Sequence, residues 1–345
     1  MIFGLTSKNI DFYSLGFNFI STKTMFVSDY KDDKWDEGKL VPFGNFEISP
    51  AACVLNYGQG IFEGMKALRC KTGEITLFMP EENGKRLNKS ARRMLMPDFD
   101  LDIFIDAVKK VVKANEEYIP PYDSGGALYI RPLMIGNEPI LGVAPSHEFK
   151  FIIFTVPVGP YFPKGFSGID LEISKKYIRA APGGTGSAKT CCNYAGTMLP
   201  AKETKAKGFV QILYLDAIQK EYVEEVGTAN FFGVINNKLI TPRKTGTILE
   251  GITRQSVLKL ASENLGIEVE ERDVSYKELF DDSCTEAFCT GTAAVITPIA
   301  SVDLEGKKRI FNNREPGEVT KNLYKILTGI QRLEIEDKFG WVVKV

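Results

Sequence analysis

The chain of 345 residues is long enough for two domains, and its balance of 44% apolar and 25% charged residues suits a folded globular protein, not a disordered or membrane-spanning one. With 43 basic against 44 acidic side chains the net charge is -1, which excludes the electrostatic footprint of a nucleic-acid or anionic-membrane binder and leaves a small molecule or a second copy as the expected partner. Six cysteines without CxxC spacing and one histidine, in the loop GVAPSHEF, exclude structural zinc, a dithiol redox motif and a Ser/His/Asp triad; with no basic leader or long apolar run, the expected location is the cytoplasm.

In chain order, Phe43 to Ile48 reads as extended, as does Met65 to Phe78, broken by a turn at KTGE. PEENGKRLNKSARRML has apolar residues at helical spacing, and a second helix is expected from about Asp102 to Tyr118. ALYIRPLMIG and FKFIIFTVPVG follow as strands, and PVGPYFPKGFSG, dense in Pro and Gly, reads as a linker. Beyond it come the strand LEISKKYIRA, a short helix to about Lys207, and the β-rich pieces QILYLD, YVEEV and NFFGVINNKLITP, the last with a hairpin at Asn236 and Asn237. ITRQSVLKLASENLG is a helix ended by Gly266, IEVEERDV a strand, and Gly317 to Leu333 a last helix.

GGTGSAKT at 183 to 190 is one residue short of the phosphate-loop pattern GxxxxGK[ST], with Ala188 in place of the last glycine. QILYLD resembles a strand ending in a magnesium-binding aspartate, so nucleotide hydrolysis is one reading. Against it, LEISKKYIRA carries Lys175, Lys176 and Arg179, unlike a strand buried on both faces, and QILYLD looks like a hairpin edge rather than part of a parallel sheet. The other reading makes Lys189 a nucleophilic amine that condenses with a carbonyl.

KYIRAAPGGTGSAKTCCNYAG and YVEEVGTANFF resemble the fold type IV aminotransferases of pyridoxal phosphate, and the branched-chain amino acid aminotransferases most closely. NYGQGIFEGMKALR, GKRLNKSARRM, LYIRPLMIGNEPILGV, LEGITRQSVL and CTGTAAVITPI extend the likeness along nearly the whole chain. The resemblance implies an α+β fold of two domains of mixed sheet and helix, with the cofactor in the cleft between them: a smaller domain over 1–160, a linker over 161–171 and a larger cofactor-binding domain over 172–345. It implies reversible transfer of the amino group of L-leucine, L-isoleucine or L-valine to 2-oxoglutarate. A D-amino acid aminotransferase or an aminodeoxychorismate lyase would reuse the same lysine; a non-catalytic binding protein would show no turnover.

By that resemblance Lys189 holds pyridoxal 5'-phosphate as a covalent aldimine, Tyr194 donates to the phenolic oxygen, and Glu225 faces the pyridine nitrogen, while Glu224 reads as a solvated strand carboxylate. Arg86, Arg179, Ile252, Thr253 and Thr292, beside Gly291, would hold the phosphate, and GITRQS opening a helix suits an anion. Phe19 (or Phe17), Tyr57, Phe62, Tyr129 and Tyr161 would line the substrate pocket, with Thr228, Ala293 and Ala294 at its carboxylate end. Arg131, two residues from Tyr129, would serve the carboxylate or orient the tyrosine that does. Leu141 and Val143 would come from the neighbouring subunit of a homodimer. Ala294 and Thr297 stand where some members carry a CxxC pair, so no thiol switch is expected there.

Overall fold

The computed structural model describes residues 10–160 and 166–345. They form two compact units, the first running through Pro160 and including Ala188–Cys192 and Ile330–Val345, the second comprising Phe166 to Ser187 and Asn193–Gly329. Two stretches beyond the expected linker thus belong to the first unit. Backbone pairing explains both: Val342–Lys344 adds a strand to Ile75–Phe78, and the Lys189 carbonyl accepts from the Phe62 N–H at 3.0 Å.

The first unit is built on an antiparallel sheet whose central strands, Ala127–Gly136 and Phe149–Val158, pair over ten residues each. Alternation divides the faces. Leu128, Ile130, Met134, Phe151 and Ile153 are buried with Leu87 and Ala91 of the Pro80–Arg93 helix and Phe104, Val108 and Val111 of the Leu101–Ala114 helix. Tyr129, Arg131 and Leu133 point to the opposite face and are only partly buried. The Asp100 carboxylate caps the second helix by accepting from the N–H groups of Asp102 and Ile103. That helix stops at Ala114, and a separate 3-10 turn, Glu116–Tyr118, completes the segment expected as one helix.

Phe43 to Ile48 is not a strand. Lys39–Pro42 pairs with Thr24–Lys31, but the Thr24↔Pro42 pair is the last, and beyond it no strand is left to bond. The 65–78 hairpin forms as expected around Gly73, whose φ of 92° requires glycine.

In the second unit six strands pair around a ring: Ile169–Ser174 with Gln211–Leu215, then Val223–Val226, Ala229–Ile235, Cys284–Gly291 and Val295–Leu304, which returns to the first. Closure removes free edges and leaves all four residues of Val223–Val226 buried. Gln211–Leu215 pairs parallel with Ile169–Ser174 on one side and antiparallel with Val223–Val226 on the other, so the hairpin-edge expectation is corrected. The LEISKKYIRA strand stops at Ser174, where the Ser174 Oγ accepts from the Tyr177 N–H at 3.0 Å and turns the chain. Asn236 and Asn237, with φ of 50° and 61°, make the expected hairpin turn. The helix to Lys207 is two pieces, Cys191–Ala195 and Met198–Ala206.

Candidate active site

In the first unit Lys189 is fixed by its backbone. Its N–H donates to Ser90 Oγ at 2.9 Å, its carbonyl accepts from Phe62, and the hydroxyl of Thr190 donates to the Gly60 carbonyl at 2.8 Å. The stretch after GGTGSA therefore lies along the Gly60–Phe62 strand, with Ala188 buried. The Lys189 Nζ sits 4.8 Å from the Phe62 ring centroid. Burial, followed by the nearby Arg86 charge, pushes its amine down to about 8; Glu63 and Tyr129 oppose that shift and Arg131 adds to it.

Arg86 is buried and engages Glu63, a fully buried carboxylate, through Nε at 2.7 Å and Nη2 at 2.8 Å. Glu63 also accepts from Asn83 Nδ2 at 2.7 Å and from the Gly64 N–H at 3.2 Å. Burial alone would raise this carboxyl, but Arg86, then Lys189 and Asn83, hold it below the usual carboxylate range. On the same sheet face Arg131 stacks 4.7 Å from the Phe62 centroid and 5.3 Å from that of Tyr129, and its Nη2 donates to Tyr129 Oη at 3.3 Å. The buried Arg131 Nε has no hydrogen-bond partner among the described residues. A Cβ at Gly64 would stand 2.2 Å from Tyr129 Oη, so glycine is what lets the tyrosine reach its position.

The remaining first-unit candidates fall into two places. Phe17 meets Tyr129 edge-on at 6.4 Å, and Phe19 packs against Phe43 and against Phe154, the cross-strand partner of Arg131, so both aromatics lie on the face that carries Tyr129 and Arg131. Tyr57 Oη donates to the Leu141 carbonyl on a loop where Leu141 and Val143 are 92% and 90% exposed. The Ser146 N–H donates to Gln59 Oε1 at 3.0 Å and the His147 N–H to Glu138 Oε2 at 2.6 Å, which tie down the loop's end and leave the histidine ring exposed. Tyr161 lies outside the described residues.

In the second unit Glu225 is buried. Its Oε1 accepts from Asn230 Nδ2 at 2.8 Å and from the Leu249 N–H at 3.3 Å, and its Oε2 pairs with Arg179 Nε. Arg179 also donates through Nη1 to the carbonyls of Thr247 at 2.7 Å and Gly186 at 3.2 Å. Its Nε and Nη1 are thus engaged with Glu225 and the loop carbonyls, in addition to the phosphate role that the resemblance implies for it. Glu224 is not solvated: it is 7% exposed, accepts from the Thr247 hydroxyl, and burial pushes its carboxyl up. Closure of the strand ring around Val223–Val226 is the physical reason.

The Ile252–Glu263 helix begins at Gly251 with no side-chain cap, and Asn230 Oδ1 lies 2.0 Å from where a Gly251 Cβ would be, so glycine permits this approach. Ile252 and Thr253 open the helix. Thr228 is exposed on the turn between Val223–Val226 and Ala229–Ile235. Thr292, Ala293 and Ala294 form the turn closed by the Gly291↔Val295 pair, and the site where a Gly291 Cβ would stand is 3.8 Å from the Ala229 Cβ. Tyr194 lies, half-buried, in the short Cys191–Ala195 helix.

The phosphate-loop reading fails on local structure. Gly186 is needed because a Cβ there would stand 2.2 Å from the Thr247 carbonyl oxygen. Asp216 is taken up by the N–H groups of Ile218, Gln219, Glu221 and Tyr222 at 2.6–3.1 Å, which makes it the acceptor of a tight turn. No metal-binding cluster of His, Cys, Asp or Glu occurs among the described residues.

Sequence reasoning passed over Glu63, Asn83, Ser90, Asn230 and Thr247. The FEGMKA motif contains Glu63, but a single glutamate beside a glycine gives no sign that it is buried against an arginine 23 residues on. NxxR at helical spacing, which puts Asn83 and Arg86 on one face, was the available signal.

Residues 60–302 match the family model described as amino-transferase class IV. A branched-chain-amino-acid aminotransferase of Haemophilus influenzae is 45% identical over 345 residues, covering 98% of this chain and 99% of its own. The crystal structure of the Escherichia coli branched-chain amino acid aminotransferase superposes with a TM-score of 0.80 at 30% identity, covering 93% of this chain and 98% of that one. The Thermobaculum terrenum branched-chain amino acid aminotransferase in its PLP form gives 0.79 at 26% identity, covering 94% and 98%.

Proposed function

Because the chain belongs to the class IV aminotransferases, we propose that it exchanges amino groups between L-leucine, L-isoleucine or L-valine and 2-oxoglutarate, with pyridoxal 5'-phosphate as cofactor. The observation that carries this reading is the amine of Lys189, pushed down to about 8 beside an aromatic face that also bears Arg131. When bound, the cofactor supplies a carbonyl for an amine to attack and an electron sink for charge developing at the substrate Cα.

The donor set suits such a group. In the first unit Lys189 would be the amine that holds the cofactor's carbonyl, and its neutral Nζ would be the group that takes and returns the substrate Cα proton. Arg86, held by Glu63, offers cationic charge to a phosphate beside that lysine. In the second unit the uncapped start of the Ile252–Glu263 helix, with Thr253 and the turn at Thr292, provides N–H and hydroxyl donors for an anion. Glu225, ion-paired with Arg179 and hydrogen-bonded by Asn230, is the carboxylate for a pyridinium nitrogen, and Tyr194 is the hydroxyl donor to a phenolic oxygen.

One face accommodates two kinds of substrate. Phe62, Tyr129 and Phe17 offer apolar surface to a branched side chain. Arg131, stacked on two of those rings and ion-paired with no carboxylate of the described residues, has donor capacity for a carboxylate of 2-oxoglutarate. The exposed Leu141 and Val143 are the residues a homodimer would bury at a neighbour's site. Six unbridged cysteines fit a reducing cytoplasm. No described helix is long and apolar enough to cross a membrane.

The test is the visible absorption of the purified protein together with glutamate formed from L-leucine and 2-oxoglutarate. The expected result is a band that borohydride bleaches and that Lys189→Ala lacks. A protein that stays colourless with added pyridoxal phosphate would refute the cofactor. Turnover of D-alanine but not L-leucine would refute the substrate and favour a D-amino acid aminotransferase.

A further inference from the structure

Two adjacent carboxylates, Glu224 and Glu225, are buried in the second unit, and Arg179 is the cation that acts on both. Two ionised carboxylates against one guanidinium would leave a buried negative charge without compensation, so one of them must carry a proton. The ion pair to Arg179 and the two donors on Glu225 Oε1, against one hydroxyl on Glu224, assign it. Glu225 faces Asn230 Nδ2 and the Leu249 N–H on one oxygen and Arg179 Nε on the other. Glu224 receives only the Thr247 hydroxyl on Oε1, and its Oε2 has no hydrogen-bond partner among the described residues.

We infer that Glu224 is a positioning residue: it is the neutral member of the pair, and its neutrality leaves Arg179 to Glu225. This rests on the proposed role of Glu225 as the carboxylate for the cofactor's ring nitrogen. Thr247 couples the two, because its hydroxyl donates to Glu224 while its carbonyl accepts from Arg179. Besides burial and that hydroxyl, the charges acting on Glu224 are Arg179, which favours its ionisation, and Asp216 at the end of the neighbouring strand, which opposes it. The Tyr214 hydroxyl, buried on that strand, also feels Arg179 and stays protonated, its phenol pushed up to about 12, first by burial. As pH rises and Glu224 loses its proton, its charge competes for Arg179 and loosens the hold on Glu225.

The direction for stability follows from the raised carboxyl. The folded protein keeps a proton that the unfolded chain releases above its ordinary carboxyl range, so stability falls as pH climbs from that range toward the folded value. Glu224→Gln removes this dependence.

The experiment compares the parent, Glu224→Gln and Glu225→Gln by infrared spectroscopy of the protonated-carboxyl C=O stretch, by urea unfolding, and by pyridoxal phosphate affinity between neutral and alkaline pH. The expected result is a carboxyl band present in the parent, lost in Glu224→Gln and retained in Glu225→Gln. The glutamine variant at 224 should also have a higher urea midpoint whose advantage grows with pH, and a cofactor affinity within about twofold of the parent at neutral pH that does not fall at alkaline pH. Thr247→Val, which removes the hydroxyl that favours ionised Glu224, should move the alkaline loss of affinity to higher pH. A band that survives in Glu224→Gln and vanishes in Glu225→Gln would overturn the inference, as would an unchanged alkaline loss in Glu224→Gln. Failure of the underlying reading looks different: Glu225→Gln would then match the parent in cofactor spectrum and turnover, whatever the carboxyl band does.

Discussion

Replacing Glu63 by glutamine keeps the shape of the side chain and removes one charge from the centre of the first unit. Glu63 is fully buried and accepts both Arg86 bonds, at 2.7 and 2.8 Å, so the variant leaves a guanidinium that is 9% exposed facing a neutral amide. Breaking such a pair on one side typically costs about 3–5 kcal/mol, because the remaining charge stays desolvated. Phosphate bound at Arg86 would offset part of this loss, so the deficit should be larger without cofactor than with it. The same substitution acts on Lys189. Glu63 is the leading influence that favours the charged amine, and without it the ionisation should move below about 8. Urea unfolding with and without pyridoxal phosphate measures the first effect, and the pH dependence of the rate at which Lys189 is acylated, followed by peptide mass spectrometry, measures the second. A variant as stable as the parent, or a lysine profile that moves to higher pH, would show that Glu63 does not carry the charge balance of this site.

Gly64→Ala should displace the Tyr129 hydroxyl, which lies 2.2 Å from the added methyl group, and with it the tyrosine's contact to Arg131; we expect KM for 2-oxoglutarate to rise about tenfold or more, a loss of ~1.4 kcal/mol or greater, while an unchanged KM would remove Tyr129 and Arg131 from substrate recognition. Asp216→Ala strips the acceptor from four turn N–H groups and should destabilise the protein by about 1–3 kcal/mol in urea unfolding without making turnover respond to magnesium or chelator; a magnesium-dependent activity lost in the variant would restore the nucleotide reading.

The strongly periodic segments were legible from the sequence because one side of each is buried against a neighbour in the same unit. The alternation in ALYIRPLMIG separates Leu128, Ile130 and Met134 from Tyr129 and Arg131, and that pattern placed the arginine and the tyrosine on one face. Phe43 to Ile48 misled for the opposite reason: local composition favours extension, but a strand needs a partner, and the neighbouring strand begins at Thr24. QILYLD was misplaced because whether a strand lies at an edge or inside depends on how the ring closes, which sequence neighbours do not encode.

The charged residues show the same division more sharply. Lys189 could be picked out by its type and setting, whereas its lowered ionisation depends first on burial and then on Arg86 and Arg131, with Glu63 opposing them, and these three residues come from 58 to 126 positions earlier in the chain. The family resemblance put Arg179 at a phosphate; a neighbouring strand also brings the buried carboxylate of Glu225 to its Nε, a contact that no local stretch of sequence shows. Glu224 and Glu225 are adjacent in sequence and identical in type, so nothing local separates a solvated residue from a functional one. Only the donors around each distinguish them: Asn230, Leu249 and Arg179 converge on one, while the other receives a single hydroxyl. A buried carboxylate is therefore identified by what can hold its charge, and in this protein that information lies in pairings between segments that no single stretch of sequence contains.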